Sequence, residues 1–150
     1  MQSSRWCALL RLRNYATTLA EKESNSKYYF IDSGILGLFL IDKEAMLLEN
    51  LVALHLFRSY GYDPDNEHVF FYNDKYEVDF YIPDDELAIQ VSYSLRDEET
   101  RKREVEALKK LPKRLSCKRR IIVTFDEEET ISDSFGTIEV IPAWKWLMDI

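Results

Sequence analysis

Three polar side chains that could take part in chemistry lie in two largely apolar runs near the middle of the chain, YEVDFYI and LAIQVSYS. They are Asp79 in the first run and Gln90 and Ser92 in the second. Two carboxylates held side by side can bind a magnesium ion, which polarises a phosphodiester and acidifies the attacking water. A nearby lysine would orient that water and offset negative charge in the transition state. Here Gln90 offers a neutral amide and Ser92 a hydroxyl, so the pattern supplies one carboxylate and lacks both of the other charges.

Both runs are typical of β-strands, because polar and apolar residues alternate along them. Alternation places Val78, Phe80 and Ile82 together on one side of the predicted sheet. Asp79 falls on the other side of the same strand. A tight turn joins the two strands as neighbours, so we expect Asp79 and Gln90 to lie on one shared polar surface.

The neighbouring segments complete a mixed α/β pattern. A third run, EHVFFYN, is expected to make an antiparallel meander with the first two. Asp42 can cap a helix from about Lys43 to Tyr60, and Gly61 is placed to end it. A second, amphipathic helix is expected from Arg96 to Leu111, followed by the strands RRIIVTF and TIEVIPA and a short terminal helix. We therefore expect an α/β fold in which two helices flank a small mixed central sheet.

The length of 150 residues and the apolar fraction of 46% predict one folded domain. Residues 1–26 end in the polar cluster EKESNS and are interpreted as an N-terminal segment or linker, which leaves residues 27–150 as the domain. No apolar stretch reaches the roughly 20 residues that cross a bilayer, and the N-terminus lacks a signal-peptide pattern. A soluble, cytoplasmic protein with reduced thiols at Cys7 and Cys117 is therefore expected.

Charge is distributed unevenly along the chain, whose net charge is -7. The segment from Arg96 to Arg120 contains eleven basic and five acidic residues, which gives it a local net charge of +6. A basic face of this kind can bind the phosphates of a nucleic acid, with Arg101, Lys102 and Arg103 as the candidate residues. A solvated helix followed by a basic loop gives the same count, so charge alone does not separate the two interpretations.

Several strings occur in the order found in one known group of domains. They are KYYFIDSGILGLFL, LLENLVALHLFRSYGY, EVDFYI and LAIQVSYSLRDEETRKREVEAL, within residues 11–150. They resemble the C-terminal domain of a group of prokaryotic AAA-type ATPases, known as domain of unknown function 4143. The arrangement of acids also resembles the PD-(D/E)XK nuclease superfamily, which implies a restriction-endonuclease-like core. The chain contains no GxxxxGKS/T phosphate-binding loop, so no ATP site is expected in it.

The resemblance assigns site roles to four positions of this chain. The helix glutamate of the superfamily corresponds to Glu49, its first metal-binding aspartate to Asp79, its second acid to Gln90 and its lysine to Ser92. The resemblance therefore implies either no cofactor or a weak magnesium site at Asp79, Glu49 and Gln90, because an amide keeps a carbonyl oxygen but not the charge.

Two functional interpretations follow from the resemblance. In the first, which we prefer, a nuclease-like domain has lost catalysis and recognises DNA, RNA, an ATPase module or another protein. In the second, it is an active metal-dependent nuclease with a rearranged site, in which Lys75, Arg101 or Arg103 replaces the missing lysine.

Simpler roles remain open for four residues. Glu49 can be an ordinary helix acid, and Asp79 the polar half of an alternating strand. Gln90 can be a hydrogen-bonded amide between helix and sheet, and Glu77 an exposed strand acid.

Overall fold

One mixed sheet of eight strands runs through the described part of the protein. The computed structural model describes residues 9–15, 25–39, 44–61 and 67–148. The strands are β1 Leu9–Asn14, β2 Ser26–Phe30, β3 Phe70–Asn73, β4 Glu77–Ile82, β5 Leu87–Val91, β6 Arg119–Thr124, β7 Glu129–Asp133 and β8 Gly136–Pro142. The helices are α1 Ser33–Phe39, α2 Glu44–Tyr60, α3 Glu98–Lys110 and α4 Ala143–Trp146, with a 3₁₀ turn at Leu111–Lys113.

The strand order in the sheet is β2-β1-β3-β4-β5-β6-β8-β7. β3, β4 and β5 form the antiparallel meander expected from the sequence, whereas β5, β6 and β8 are parallel to one another. A parallel pair needs a long crossover, and α3 supplies it between β5 and β6. β7 pairs antiparallel with β8, and β1 lies between β2 and β3. The expected mixed sheet with helices is therefore confirmed.

The strand Leu9–Asn14 differs from the linker expected at residues 1–26. It forms β1, which pairs antiparallel with β2 and parallel with β3. Leu12 is fully buried, and the Asn14 side chain exchanges hydrogen bonds of 3.0 and 3.1 Å with the Asn73 backbone. The run LLRLRN alternates apolar and polar residues, which is a strand signal that the linker interpretation overlooked.

Both long helices begin and end close to their predicted bounds. α2 is followed by Gly61 at a φ of 102°, a backbone conformation that favours glycine. α3 begins after Asp97, whose Oδ2 accepts a hydrogen bond of 2.8 Å from the Thr100 N–H. Asp42, the expected cap of α2, and Cys7 lie outside the described residues. Within the described ranges, no helix has the length and apolar composition needed to span a bilayer.

The two long helices cover opposite faces of the sheet. α2 contributes Val52 and Leu56 to one apolar cluster, which also contains Ile121 of β6. α3 contributes Leu108 to a second cluster, which contains the next strand residue, Ile122. Neighbouring residues of β6 thus point to opposite faces, and both faces are buried, as is usual for parallel strands.

β4 contains a bulge between Val78 and Tyr81. Tyr72 of β3 pairs with Val78, but Phe70 pairs with Tyr81, so β4 has one residue more than β3 between these pairs. Val78 therefore belongs to the cluster on the α3 face, whereas Phe80 belongs to the cluster on the α2 face. The expectation that these two residues share a face is wrong, because the alternation breaks where the extra residue enters.

Candidate functional site

A lysine ammonium lies among three carboxylates at the bulged start of β4. Lys27 of β2 places its Nζ 2.6 Å from Glu77 Oε1 and 3.0 Å from Asp79 Oδ1, both on β4. The same Nζ lies 3.3 Å from Oε1 of Glu49, which is on α2. Three elements that are distant in sequence therefore meet around one positive charge. We call these four residues the Lys27 cluster.

Burial and charge act against each other in the Lys27 cluster. Burial raises the pKa of the Asp79 carboxyl, the Lys27 ammonium lowers it and Glu49 raises it again, with a net increase to about 6. Burial by itself would lower the pKa of Lys27. Attraction by Asp79 and then by Glu49, together with a hydrogen bond to Glu77, raises it instead. Lys27 therefore keeps its proton, and its charge compensates the buried carboxylate.

Tyr29 supplies a second hydrogen-bond donor to Glu49. Its hydroxyl lies 2.7 Å from Glu49 Oε1, the oxygen that also accepts from Lys27. Burial, and then the charge of Glu49, raises the pKa of Tyr29 well above its usual value, so the hydroxyl stays protonated and donates. Lys27 and Tyr29 are two residues apart in β2, which directs both side chains to the same face.

The Gln90 side chain closes a gap between β4 and β5. Backbone pairing of these strands ends one residue before Gln90. There Gln90 Oε1 accepts from the Asp79 N–H at 2.7 Å, and Gln90 Nε2 donates to the Glu77 carbonyl at 3.2 Å. In turn the Val91 N–H donates to Asp79 Oδ2 at 2.9 Å. Side chains thus replace a rung of backbone pairing at the bulge, and Asp79 and Gln90 do meet as expected.

Glu104 of α3 holds the other side of the Gln90 amide. Its Oε2 accepts from Gln90 Nε2 at 2.6 Å, and its Oε1 accepts from Arg103 Nη2 at 2.7 Å. The Glu104 side chain is only 8% exposed, whereas that of Arg103 is 73% exposed. Gln90 is therefore a hydrogen-bonded amide between helix and sheet, and both of its polar atoms are engaged.

Ser92 lies outside this network of contacts. Its Oγ donates to the Ser94 carbonyl at 3.0 Å, and the side chain is buried. Of the four positions that the resemblance assigns, the structure brings Glu49, Asp79 and Gln90 together and leaves the serine apart. The lysine near the acids comes from β2 instead of from the strand that carries Gln90.

The sequence interpretation did not include Lys27 or Glu104 and favoured an exposed role for Glu77. A signal for Glu104 exists, because it precedes Leu108 by one helical turn on the apolar stripe of α3. No comparable signal marks Lys27, which follows a polar run and reaches the site through the pairing of β2 with β1. The Glu77 side chain is 44% exposed, yet it makes the shortest contact with Lys27.

The acids line a cleft of about 640 Å³, to which the start of α2, the turn between β3 and β4, and α3 all contribute residues. Glu49, Glu77 and Asp79 lie along it together with Lys75 and Lys110. A cleft of this size can hold a small ligand or a short length of a polymer chain. Its lining carries mixed charges, with acids concentrated at the bulged start of β4.

This arrangement does not suit a magnesium ion. Such an ion needs several oxygen ligands around one point, and Lys27 Nζ already lies at the point between the three carboxylates. Gln90 Oε1 faces the Asp79 N–H, so the amide cannot turn to a metal ion without reopening the gap between β4 and β5. Among the residues that the structure describes, no group of three or more His, Cys, Asp or Glu side chains is arranged to hold a metal ion.

Most of the basic segment from Arg96 to Arg120 is engaged in ion pairs. Eight of its eleven basic residues contact acids in the described structure, and six of those acids lie outside the segment. Arg101 binds Glu129 of β7, and Arg103 binds Glu104. The paired residues are Arg96, Arg101, Arg103, Lys109, Lys110, Lys118, Arg119 and Arg120. The nucleic-acid candidates therefore do not form one uncompensated basic face.

The fold and the site together define a mixed α/β domain with an acid, amide and lysine network at a strand bulge. The family model for a domain of unknown function, DUF4143, matches residues 44–146, and the chain therefore belongs to the DUF4143 family. The chain is also 35% identical over 147 residues to the uncharacterized protein MJ1544 of Methanocaldococcus jannaschii. That alignment covers 92% of this chain and 33% of MJ1544, so the chain spans about a third of the length of that relative. No solved structure matches the chain.

Proposed function

We propose that this chain is a nuclease-like domain that has lost hydrolytic chemistry and acts as a recognition module of a larger ATPase-family protein. The proposed core is a restriction-endonuclease-like unit of α2, β3, β4, β5, α3 and β6, with Glu49 and Asp79 at the positions that the resemblance assigns. The observation that carries the proposal is the Gln90 amide, which bonds to the Asp79 N–H at 2.7 Å and to Glu104 at 2.6 Å. A side chain that joins two strands to a helix serves the fold and brings no charge to a metal ion.

Phosphodiester hydrolysis needs more positive charge than this site offers. A metal ion and a lysine would together neutralise the phosphate and activate the water. Lys27 is instead engaged by three carboxylates, and Ser92 is bonded to a nearby backbone carbonyl. With three acids and one lysine, the Lys27 cluster has a net negative charge that repels a phosphate group.

A protein is the partner that the charge distribution favours over a nucleic acid. Basic side chains that are paired with acids attract phosphates less, and this applies to eight of the eleven basic residues from Arg96 to Arg120. The chain as a whole carries a net charge of -7. MJ1544 extends well beyond the aligned region, which supports a module that works beside other domains of one protein.

A nuclease assay tests the loss of chemistry. Wild-type and Asp79→Ala proteins are incubated with single- and double-stranded DNA and RNA in the presence of Mg²⁺ or Mn²⁺. We expect the same background cleavage from both proteins, because the carboxylates are occupied by Lys27. Cleavage by the wild-type protein that Asp79→Ala abolishes would overturn the proposal.

One observation favours the alternative of an active nuclease with a rearranged site. Lys27 brings an ammonium to 3.0 Å from Asp79, a role for which the sequence offered Lys75, Arg101 or Arg103. If Lys27 replaces the missing lysine in catalysis, Lys27→Met should abolish cleavage as fully as Asp79→Ala does. Lys75→Met, which removes a charge from the same cleft, should leave it unchanged. Including both variants in the assay separates the alternative from the proposal.

A further inference from the structure

We infer that Lys27 is the resident cation of this site and occupies the place where a nuclease-type fold would hold a divalent ion. The inference rests on the proposed function for the identity of the site. It adds that the Lys27 ammonium is the charge that holds Glu49, Glu77 and Asp79 together. A covalently attached ammonium takes the place of an exchangeable metal ion.

The hydrogen-bonding capacity of a lysine matches the acids around it. An ammonium group has three N–H donors and no acceptor. The cluster presents three carboxylate oxygens to it, one each from Glu49, Glu77 and Asp79, at 3.3, 2.6 and 3.0 Å. Every donor therefore has a charged acceptor, so Lys27 is fully satisfied in this position without a further ligand.

The surroundings of Lys27 offer few additional ligands to a second cation at the same point. Its Nζ lies 5.7 Å from the centre of the buried Phe71 ring, which offers a π face and no oxygen ligand. Glu49 Oε1 also accepts from Tyr29, and Asp79 Oδ2 accepts from the Val91 N–H. A metal ion would have to displace the ammonium and break all three of its ion pairs.

Replacing Lys27 by methionine tests whether the ammonium occupies a cation site. Lys27→Met keeps most of the apolar stem and leaves three carboxylates without their counter-charge. We expect this variant to gain one saturable Mn²⁺ site, at least about tenfold tighter than any binding by the wild-type protein. Calorimetric titration and Mn²⁺ electron paramagnetic resonance measure the affinity. Mn²⁺ should also raise the Tm of the variant and leave that of the wild-type protein unchanged.

Lys75→Met is the matched control, because Lys75 lines the same cleft but does not contact the Lys27 cluster in the described structure. It removes the same charge and should behave like the wild-type protein. Equal Mn²⁺ affinity in the wild-type and Lys27→Met proteins, or a folded Lys27→Met protein that binds no Mn²⁺, overturns the inference.

A measurement on the wild-type protein keeps the inference testable even if Lys27→Met does not fold. Bound Mn²⁺ broadens the NMR signals of nearby nuclei. Low concentrations of Mn²⁺ should therefore leave the amide signals of Asp79 and Val91 unbroadened. Selective broadening of these signals would refute a resident lysine.

The experiments distinguish failure of the proposed function from failure of the resident lysine. Metal-independent cleavage that needs Asp79 would refute the loss of chemistry and leave the resident lysine standing. Mn²⁺ binding at this site by a wild-type protein that does not cleave would refute the resident lysine and leave the loss of chemistry standing.

Discussion

At the residue scale, the contact between Gln90 and Glu104 determines which charges the site tolerates. The distance of 2.6 Å between Gln90 Nε2 and Glu104 Oε2 suits an amide donor and a carboxylate acceptor. Two buried carboxylates at that distance repel each other unless one of them takes up a proton. The amide at position 90 is therefore matched to a partner on α3, and a carboxylate at this position is disfavoured.

Gln90→Glu should consequently destabilise the protein, by about 2 to 4 kcal/mol. The double variant Gln90→Glu/Glu104→Gln exchanges the amide and the carboxylate, so it should recover the part of this loss that comes from the contact with Glu104, while the hydrogen bond to the Glu77 carbonyl stays lost. Urea unfolding of the wild-type, single and double variants gives the coupling free energy between the two positions. If the changes in the free energy of unfolding caused by the two substitutions were strictly additive, positions 90 and 104 would not be coupled and the contact would not stabilise the protein.

Strand alternation and a tight turn placed Asp79 and Gln90 on one surface, and the family resemblance added Glu49. Lys27 could not be found in this way. Its position depends on the pairing of β2 with β1 and of β1 with β3, which no local pattern records. Neither the polar run before Lys27 nor the aromatic run after it indicates these contacts, and only the tertiary structure shows the charged partners.

At the element scale, a buried ion pair fastens β7 to β6. Arg120 is 2% exposed, and its guanidinium binds Asp133 through contacts of 2.6 and 2.9 Å. β7 pairs with β8 only and forms one end of the described sheet, so it depends on such contacts. The neighbouring residue Arg119 makes a pair with Glu139 that is far more exposed.

Asp133→Asn leaves the buried Arg120 charge without its counter-charge, which should lower the free energy of unfolding by about 3 to 5 kcal/mol. Arg119→Met, on the same strand, should cost less than about 1 kcal/mol, because exposed pairs contribute little. Similar losses for the two variants would contradict the role of the buried pair.

The same pair predicts a dependence on pH. Hydrogen bonds from Arg120 lower the pKa of Asp133 in the folded protein below its usual value. The stability that the pair contributes is therefore present above the usual pKa of an aspartate and is lost as the pH falls through the folded value. Unfolding measurements across that acidic range should show a smaller loss of stability in Asp133→Asn than in the wild-type protein.

The helices and the meander were predictable because each follows from a regular apolar period with caps and turns. β1 was visible in the alternation of LLRLRN but lay within a segment that also ends in a polar run. The bulge in β4 was not predictable, since one extra residue leaves the local alternation of EVDFYI intact. Only the pairing with β3 and the Gln90 hydrogen bonds reveal it.

At the scale of the whole molecule, the net charge of a segment is a poor guide to its surface. The excess of +6 from Arg96 to Arg120 is largely compensated by acids that folding brings from other segments. Sequence counting could not show this, because the acids are distributed over the turn before β5, the loop between β6 and β7, and the strands β7 and β8.

Nucleic-acid binding should accordingly be weak at physiological salt. A triple variant, Arg101→Ala/Lys102→Ala/Arg103→Ala, should bind single- and double-stranded DNA no more weakly than the wild-type protein at about 0.15 M salt. Fluorescence anisotropy over a salt series measures both affinity and its salt dependence. Tight wild-type binding that falls steeply with salt and is lost in the triple variant would identify these residues as a phosphate-binding face after all.

β2 lies at one end of the described sheet, and this position affects the acids that Lys27 of β2 compensates. β2 is hydrogen-bonded to a neighbour on one side only and ends the described sheet, and such border strands open locally at lower free energy than central ones. Local opening of β2 would withdraw Lys27 and leave the carboxylates of Glu49, Glu77 and Asp79 facing the cleft without a counter-charge. The frequency of this exposure therefore depends on the pairing of β2 with β1 and on the hydrogen bonds of β2 to α2.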